Sequence, residues 1–407
     1  MDNFNSILEP SSLVNILTLR YDPSIKTNLP RKSWKDFEST SIADIKLIEN
    51  SITDLLEQKL KKFDNEKISI ALSGGIDSTL VLSLIRKIKP NIDIEAISIK
   101  FKDSVDETID ASKIAEKFNA NHHTIHLDNY LSELPKAISM IKMPFWDLHW
   151  YYVVKKAKTL SSILVSGDGG DELFAGYTFR YKKFLEITSN KSSPLEKVKA
   201  YLECHERDRV PDQENLFSKK SNFSWDIIYK ILLPFFNNDL SRLNQVYLAD
   251  YNGKLLYNFN PINSRIIDSF DMKLITPILN EDLLSLAPHL PTTYKYDEQN
   301  NIGKLPLRKL LQKNNTDSLI SKEKLGFNVN TLNLWKNQGH NLCKEFFDKS
   351  RLVEDDWINK EWILQHIDKP ELDVKYVNKF LGLLACEIWY RLFITNEMNG
   401  ETKLDGI

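Results

Sequence analysis

The chain has 407 residues, 42% apolar and 27% charged, with a net charge of −2, which suits a soluble globular protein large enough for two domains or one composite one. That balance lacks the basic excess of nucleic-acid binders, and three cysteines without a CxxC pair argue against a disulfide framework. The start "MDNFNSILEPSSL" is no secretion signal and no apolar run nears the roughly 20 residues that span a bilayer, so the sequence reads as cytoplasmic, with no membrane and no nucleic-acid partner.

Residues 1–45 read as an irregular N-terminal extension with one strand near Leu13–Tyr21. Ile45, Ile48, Ile52, Leu55, Leu56 and Leu60 then recur at helical spacing. From Ile68 strands and helices alternate. Ile68–Leu72, Ile94–Ile99, "HHTIHL" and "SSILVSG" are strands. Helices lie at Ser78–Lys87, Val105–Phe118, Tyr130–Ile141 and Trp150–Leu160. In the second of these the inward face is Ile109, Ala111, Ile114, Ala115 and Phe118. Such alternation predicts a parallel sheet flanked by helices over residues 46–190. After about residue 190 strand signals fade. Ser193-Pro194 starts a helix, Val377 to Leu392 carry a long apolar stripe, and residues 191–407 read as a mainly helical domain completing the site.

Ser73-Gly74-Gly75-Ile76-Asp77-Ser78 sits between a predicted strand and helix. Two glycines let several backbone N–H groups converge on an anion, and the helix start adds its positive end. A Walker loop would place a lysine here. Asp77 instead suits a magnesium ion shared between carboxylate and phosphate oxygens, so the loop is expected to hold a Mg-pyrophosphate unit. A second carboxylate is then needed. "LVSGDGGDELFAGY" offers Asp168, Asp171 and Glu172 among Gly167, Gly169 and Gly170, at the carboxyl end of another strand where α/β sheets bind ligands. The histidines His122, His123 and His126 alternate on a strand and read as packing and surface positions.

SGGIDS followed by SGDGGDELFAGY resembles the synthetase domain of the asparagine synthetase family over roughly residues 45–395. The resemblance implies an α/β, parallel-sheet ATP pyrophosphatase domain (adenine nucleotide α-hydrolase-like) with a mainly helical C-terminal part. It implies an AMP-forming amide ligase in which a carboxylate, aspartate at the family centre, attacks the α-phosphate of ATP and ammonia displaces AMP. Carried over by motif, Ser73, Gly74, Gly75, Asp77, Ser78 and Gly167 bind the nucleotide, Asp77 and Asp171 hold Mg2+, and backbone at the end of the second strand, Ile99, lies near adenine. Asp168, carried over as catalytic, stands where many members have glutamate in SGEGSDE, though others also carry aspartate. "GKLPLRK" resembles GKxxLR, so Lys304 is the catalytic lysine at the α-phosphate. "SKEKLGF" resembles RxKxGF, with Lys322 for arginine, and gives Lys324.

Three departures stand beside the match. Position 2 is Asp2, not the glutaminase cysteine, and no glutaminase domain precedes Ile68, so ammonia or a separate glutaminase subunit is expected to supply nitrogen. "MPFWDLHWYY" places Trp146, His149 and Trp150 in the segment matching the acyl site, around the matched Asp147, which puts aspartate as substrate in question. "KLITPILN", Lys273–Asn280, has lost both acids and the arginine of E-x-R-x-P-F-L-D while keeping Pro277. Alternatives are an amidotransferase or lactam-forming synthetase on another carboxylate, and a non-catalytic nucleotide-binding subunit.

Overall fold

The computed structural model describes residues 8–40, 44–63, 67–102, 104–205, 209–320 and 329–404. Its centre is a five-stranded parallel sheet of order β3-β2-β1-β4-β5. The strands are β1 (Ile68–Ala71), β2 (Ile94–Phe101), β3 (Asn121–Leu127), β4 (Ile163–Val165) and β5 (Lys273–Ile275). β1 pairs Ile68 with Ile94 on one side and Ile70 with Val165 on the other. All four of its residues are buried, which explains the unbroken apolar run, since a central parallel strand is covered on both faces.

The expected helices form at Ile45–Leu60, Ile76–Ile88, Thr108–Lys117, Leu134–Ile141 and His149–Lys158. Ile76 through Ile85 are buried without a break: this helix touches β1 as well as the helices Ile45–Leu60 and Leu305–Lys313. The helix His149–Lys158 lies across β1, β2, β3 and β4, with Tyr151 and Val154 fully buried. Ser193 caps the helix Pro194–Cys204 and accepts from Glu196 N–H. The apolar stripe near the end forms the helix Val374–Phe393, packed on Leu134–Ile141 and His340–Asp348. Among the described residues no helix is long and apolar enough to cross a membrane.

Three expectations are corrected. Leu13–Tyr21 is no strand: Ser12–Leu19 is an α-helix burying Leu13, Val14, Leu17 and Thr18, a one-face spacing. Its buried carbonyl end is satisfied from afar, because Gln213 Nε2 (3.2 Å) and the Lys379 ammonium both donate to Leu17 O. Ile109 is 57% exposed. At 100° per residue it points away from Ala111, and the buried face is Ala111, Ile114 and Ala115. Finally, a strand arises where strand signals had faded, as β5 completes the sheet beside β4 with Val165 opposite Ile275. The KLITPILN stretch thus becomes β5, a turn at Pro277–Leu279, and Asn280, which caps the helix Glu281–His289 and bonds Ser51 Oγ at 2.9 Å.

Candidate active site

β1 ends at Ala71, and the chain turns through Gly74 with φ +70° before Gly75 caps the helix Ile76–Ile88. The positive φ is a conformation that glycine alone adopts freely. Ser73 N–H donates to Ser78 Oγ at 3.3 Å, and Ser78 Oγ–H reaches Gly75 O at 3.4 Å. The two serines thus tie strand end to helix start. They leave the first N–H groups of a 13-residue helix facing the carboxyl ends of the strands, a site suited to phosphate.

The loop after β4 closes on this one. Gly167 lies so near that a Cβ there would stand 2.7 Å from Asp77 C and Ser78 N, and Gly170 abuts the Asp77 carboxylate. Gly167→Ala is therefore expected to push the loops apart and destabilise the fold by about 1–3 kcal/mol. An unchanged denaturation midpoint would contradict this packing.

Lys304 comes from a third segment. It is 3% exposed, and its Nζ lies 2.5 Å from Asp77 Oδ2 and 2.7 Å from Asp171 Oδ1. Burial drives its ammonium pKa down, and the two carboxylates more than reverse that, so it stands above its ordinary value. Asp77 Oδ1 is buried with no hydrogen-bond partner. Among the described residues no three His, Cys, Asp or Glu side chains gather to hold a metal unaided. A divalent cation at Asp77 and Asp171 would complete its shell with phosphate oxygens and water, as magnesium does; the orphaned Asp77 oxygen fits that set.

Two further acids flank this centre. The Asp168 carboxyl is raised by burial, against the pull of Asn263, whose Nδ2 donates to Asp168 Oδ2 at 3.1 Å. Glu172 is pushed up to about 7 by burial and then by the Asp171 charge, and accepts from Tyr177 Oη at 2.5 Å.

These groups border a cleft of about 690 Å³. Ser73, Asp77, Ser78, Gly167, Asp168 and Asp171 line it, and Lys304 bonds two of its carboxylates. Gly74 and Gly75 shape the first loop behind Ser73. Ile99 is buried within β2 and does not line the cleft. Lys324 and Lys322 lie outside the described residues. The sequence pointed to Asp147, which pairs with Arg20 at 3.2 Å. It gave no sign of Arg20, Arg180, Lys254 or Asn263, which reach the cleft from distant segments. His122 and His123 bond across to β2, at Ser98 Oγ (2.7 Å) and Glu95 (2.6 Å).

The asparagine synthase family model matches residues 51–391 of the chain. The chain is 23% identical to glutamine-hydrolyzing asparagine synthetase 1 of Bacillus subtilis (strain 168), covering 95% of itself and 65% of that protein. It is 26% identical to glutamine-hydrolyzing asparagine synthetase of Gallus gallus, covering 34% of itself and 27% of that protein. The chain thus spans less than two thirds of the length of these curated relatives. Among solved structures it is similar to NMN synthetase from Francisella tularensis, with TM-score 0.27, 19% identity, and coverage of 52% of this chain and 95% of that one.

Proposed function

We propose that this chain, which belongs to the asparagine synthase family, is an ATP-dependent ligase that adenylates a carboxylate and passes the acyl group to ammonia. The reading is carried by one observation: Lys304, Asp77 and Asp171, from three separate segments, meet within 2.7 Å at the carboxyl ends of β1 and β4.

The Ser73–Ser78 turn and the helix start behind it hold the β- and γ-phosphates. Asp77 and Asp171 are the carboxylates that would hold Mg2+, whose chemistry there is to neutralise the departing pyrophosphate. The substrate carboxylate attacks the α-phosphorus, the bond to the pyrophosphate oxygen breaks, and acyl-adenylate forms. Lys304 supplies fixed positive charge where the α-phosphate oxygens gain negative charge. Its burial makes that charge worth more than it would be in water. Ammonia then attacks the acyl carbon and AMP leaves. Asp168, a buried carboxyl raised from its usual range, takes the proton that the nitrogen loses. The aspartate of the family centre is one acid of this class. Nucleotide analysis of a reaction with carboxylate and ammonium tests the reading. AMP and pyrophosphate are expected, and ADP as main product would overturn it.

These 407 residues are expected to use ammonium and not glutamine. Glutamine hydrolysis through a thioester needs a reactive thiolate. Cys204, Cys343 and Cys386 are all buried in helices. Burial pushes the Cys204 thiol up to about 12 and also raises Cys343 and Cys386. Assaying amide and glutamate with each nitrogen source checks this; stoichiometric glutamate would contradict it.

A further inference from the structure

The cleft is larger than the phosphate loops require, and it extends in one direction. Ser73, Asp77 and Ser78 follow β1, Gly167 to Glu172 follow β4, and Leu274, Thr276 and Leu279 belong to β5 and its following turn. In the strand order it therefore runs from β1 toward β5, away from β2, and no β2 residue lines it. The family resemblance places the nucleotide base toward Ile99 at the end of β2; on that placement the β4–β5 end is left for the acid.

Met272, Leu274 and Leu279, at and beside β5, give that end apolar surface, and Phe145, Ile262 and Ile267 line the same cleft. The basic side chains of the lining already face the chain's own carboxylates. Arg20 pairs with Asp147 at 3.2 Å, Arg180 approaches Asp250 at 4.0 Å, and Lys254 acts on the same Asp250. Asp147, Asp168 and Asp268 also line the cleft, so its lining offers a second substrate carboxylate no unspent positive charge. Where the family pattern has arginine in E-x-R-x-P-F-L-D, this chain buries Ile275 in β5. Among the described residues, neutral donors remain: Trp150 Nε1, Asn260 Nδ2 and Ser166 Oγ line the cleft, buried and without partners. Unpaired donors on the wall of a cleft are placed to bond an acceptor oxygen of a ligand that enters it.

Building on the ligase reading, we infer that the acid adenylated here is a monocarboxylate with a bulky apolar body, aromatic or branched, rather than a dicarboxylate. The apolar body fills the β4–β5 end, and Trp150 and Asn260 donate to its oxygen atoms.

The test is pyrophosphate exchange into ATP by the full chain across aspartate, glutamate, leucine, phenylalanine and 3-phenylpropionate. An apolar acid is expected to exceed aspartate in kcat/KM by about ten-fold or more, since each hydrocarbon group matched to a pocket contributes on that order. Leu274→Arg should raise KM for the apolar acid about ten-fold or more while KM for ATP stays within about two-fold. Trp150→Phe, which keeps the ring and loses the N–H, should lower kcat/KM for the acid and leave ATP binding intact. Aspartate as the best acid would overturn this inference and leave the ligase reading standing. So would a Leu274→Arg effect on ATP alone, which would place the base in the apolar end. No exchange with any acid would overturn both.

Discussion

Lys304→Met is expected to lower carboxylate-dependent exchange by about 100-fold or more, because one fixed charge at a developing oxyanion contributes on that scale. The loss should fall on chemistry and not on placement. Lys304 is held by its backbone, at φ +57°, with its N–H donating to Phe174 O at 2.8 Å and Gly303 pressed against Ala175. Methionine keeps the aliphatic stem and removes the ammonium. ATP binding, measured by calorimetry, should stay within a few-fold of the parent. The unliganded fold should weaken as well, since Asp77 loses its ion-pair partner and keeps a carboxylate neighbour. Breaking a buried pair costs about 3 kcal/mol or more, and less is expected here because the Asp171 side chain is 32% exposed. Parent-like exchange in this variant would remove Lys304 from the mechanism.

Asp77→Asn and Asp171→Asn are expected to reduce exchange by about 100-fold or more each, with a raised requirement for Mg2+. Each keeps size and removes a negative charge that would bind the proposed cation, whose Lewis-acid contribution would amount to several kcal/mol. Both also remove one half of the Lys304 clamp. The losses in the Asp77→Asn, Lys304→Met double variant should therefore fall well short of additive, as for groups acting as a unit. Additive losses would show that Lys304 and Asp77 act independently. Magnesium titration of ATP binding separates the roles. Affinity for metal-free ATP should hold, and its enhancement by Mg2+ should shrink.

The centre of this site was legible because its signals are local. SGGIDS and SGDGGDELFAGY each combine a strand end, glycines and acids within a short stretch, and the structure brings both loops to one edge. Lys304 was readable only through the GKLPLRK resemblance. Nothing in its neighbours announces that it will be buried against Asp77, 227 residues earlier. What escaped the sequence depends on distant partners. β5 is three residues long and exists by pairing with β4. The helix Ser12–Leu19 is short, and its carbonyl end is capped by Gln213 and Lys379. Arg180 stands beside the cleft because Asp250 and His205, at 8% side-chain exposure or less, hold it there. The altered KLITPILN element illustrates both sides. Its lost charges were visible at once, but only the fold shows that Asn280 serves as a helix cap while Leu274 and Leu279 border the cleft.

The central claim is that a carboxylate oxygen attacks the α-phosphorus under the charge of Lys304. Supplying an acid labelled with oxygen-18 in its carboxylate, with ATP and ammonium, tests it most directly. Attack at the α-phosphorus followed by displacement by ammonia leaves one labelled oxygen in AMP and none in pyrophosphate, read by mass spectrometry. Unlabelled AMP, or label in inorganic phosphate beside ADP, would contradict the account.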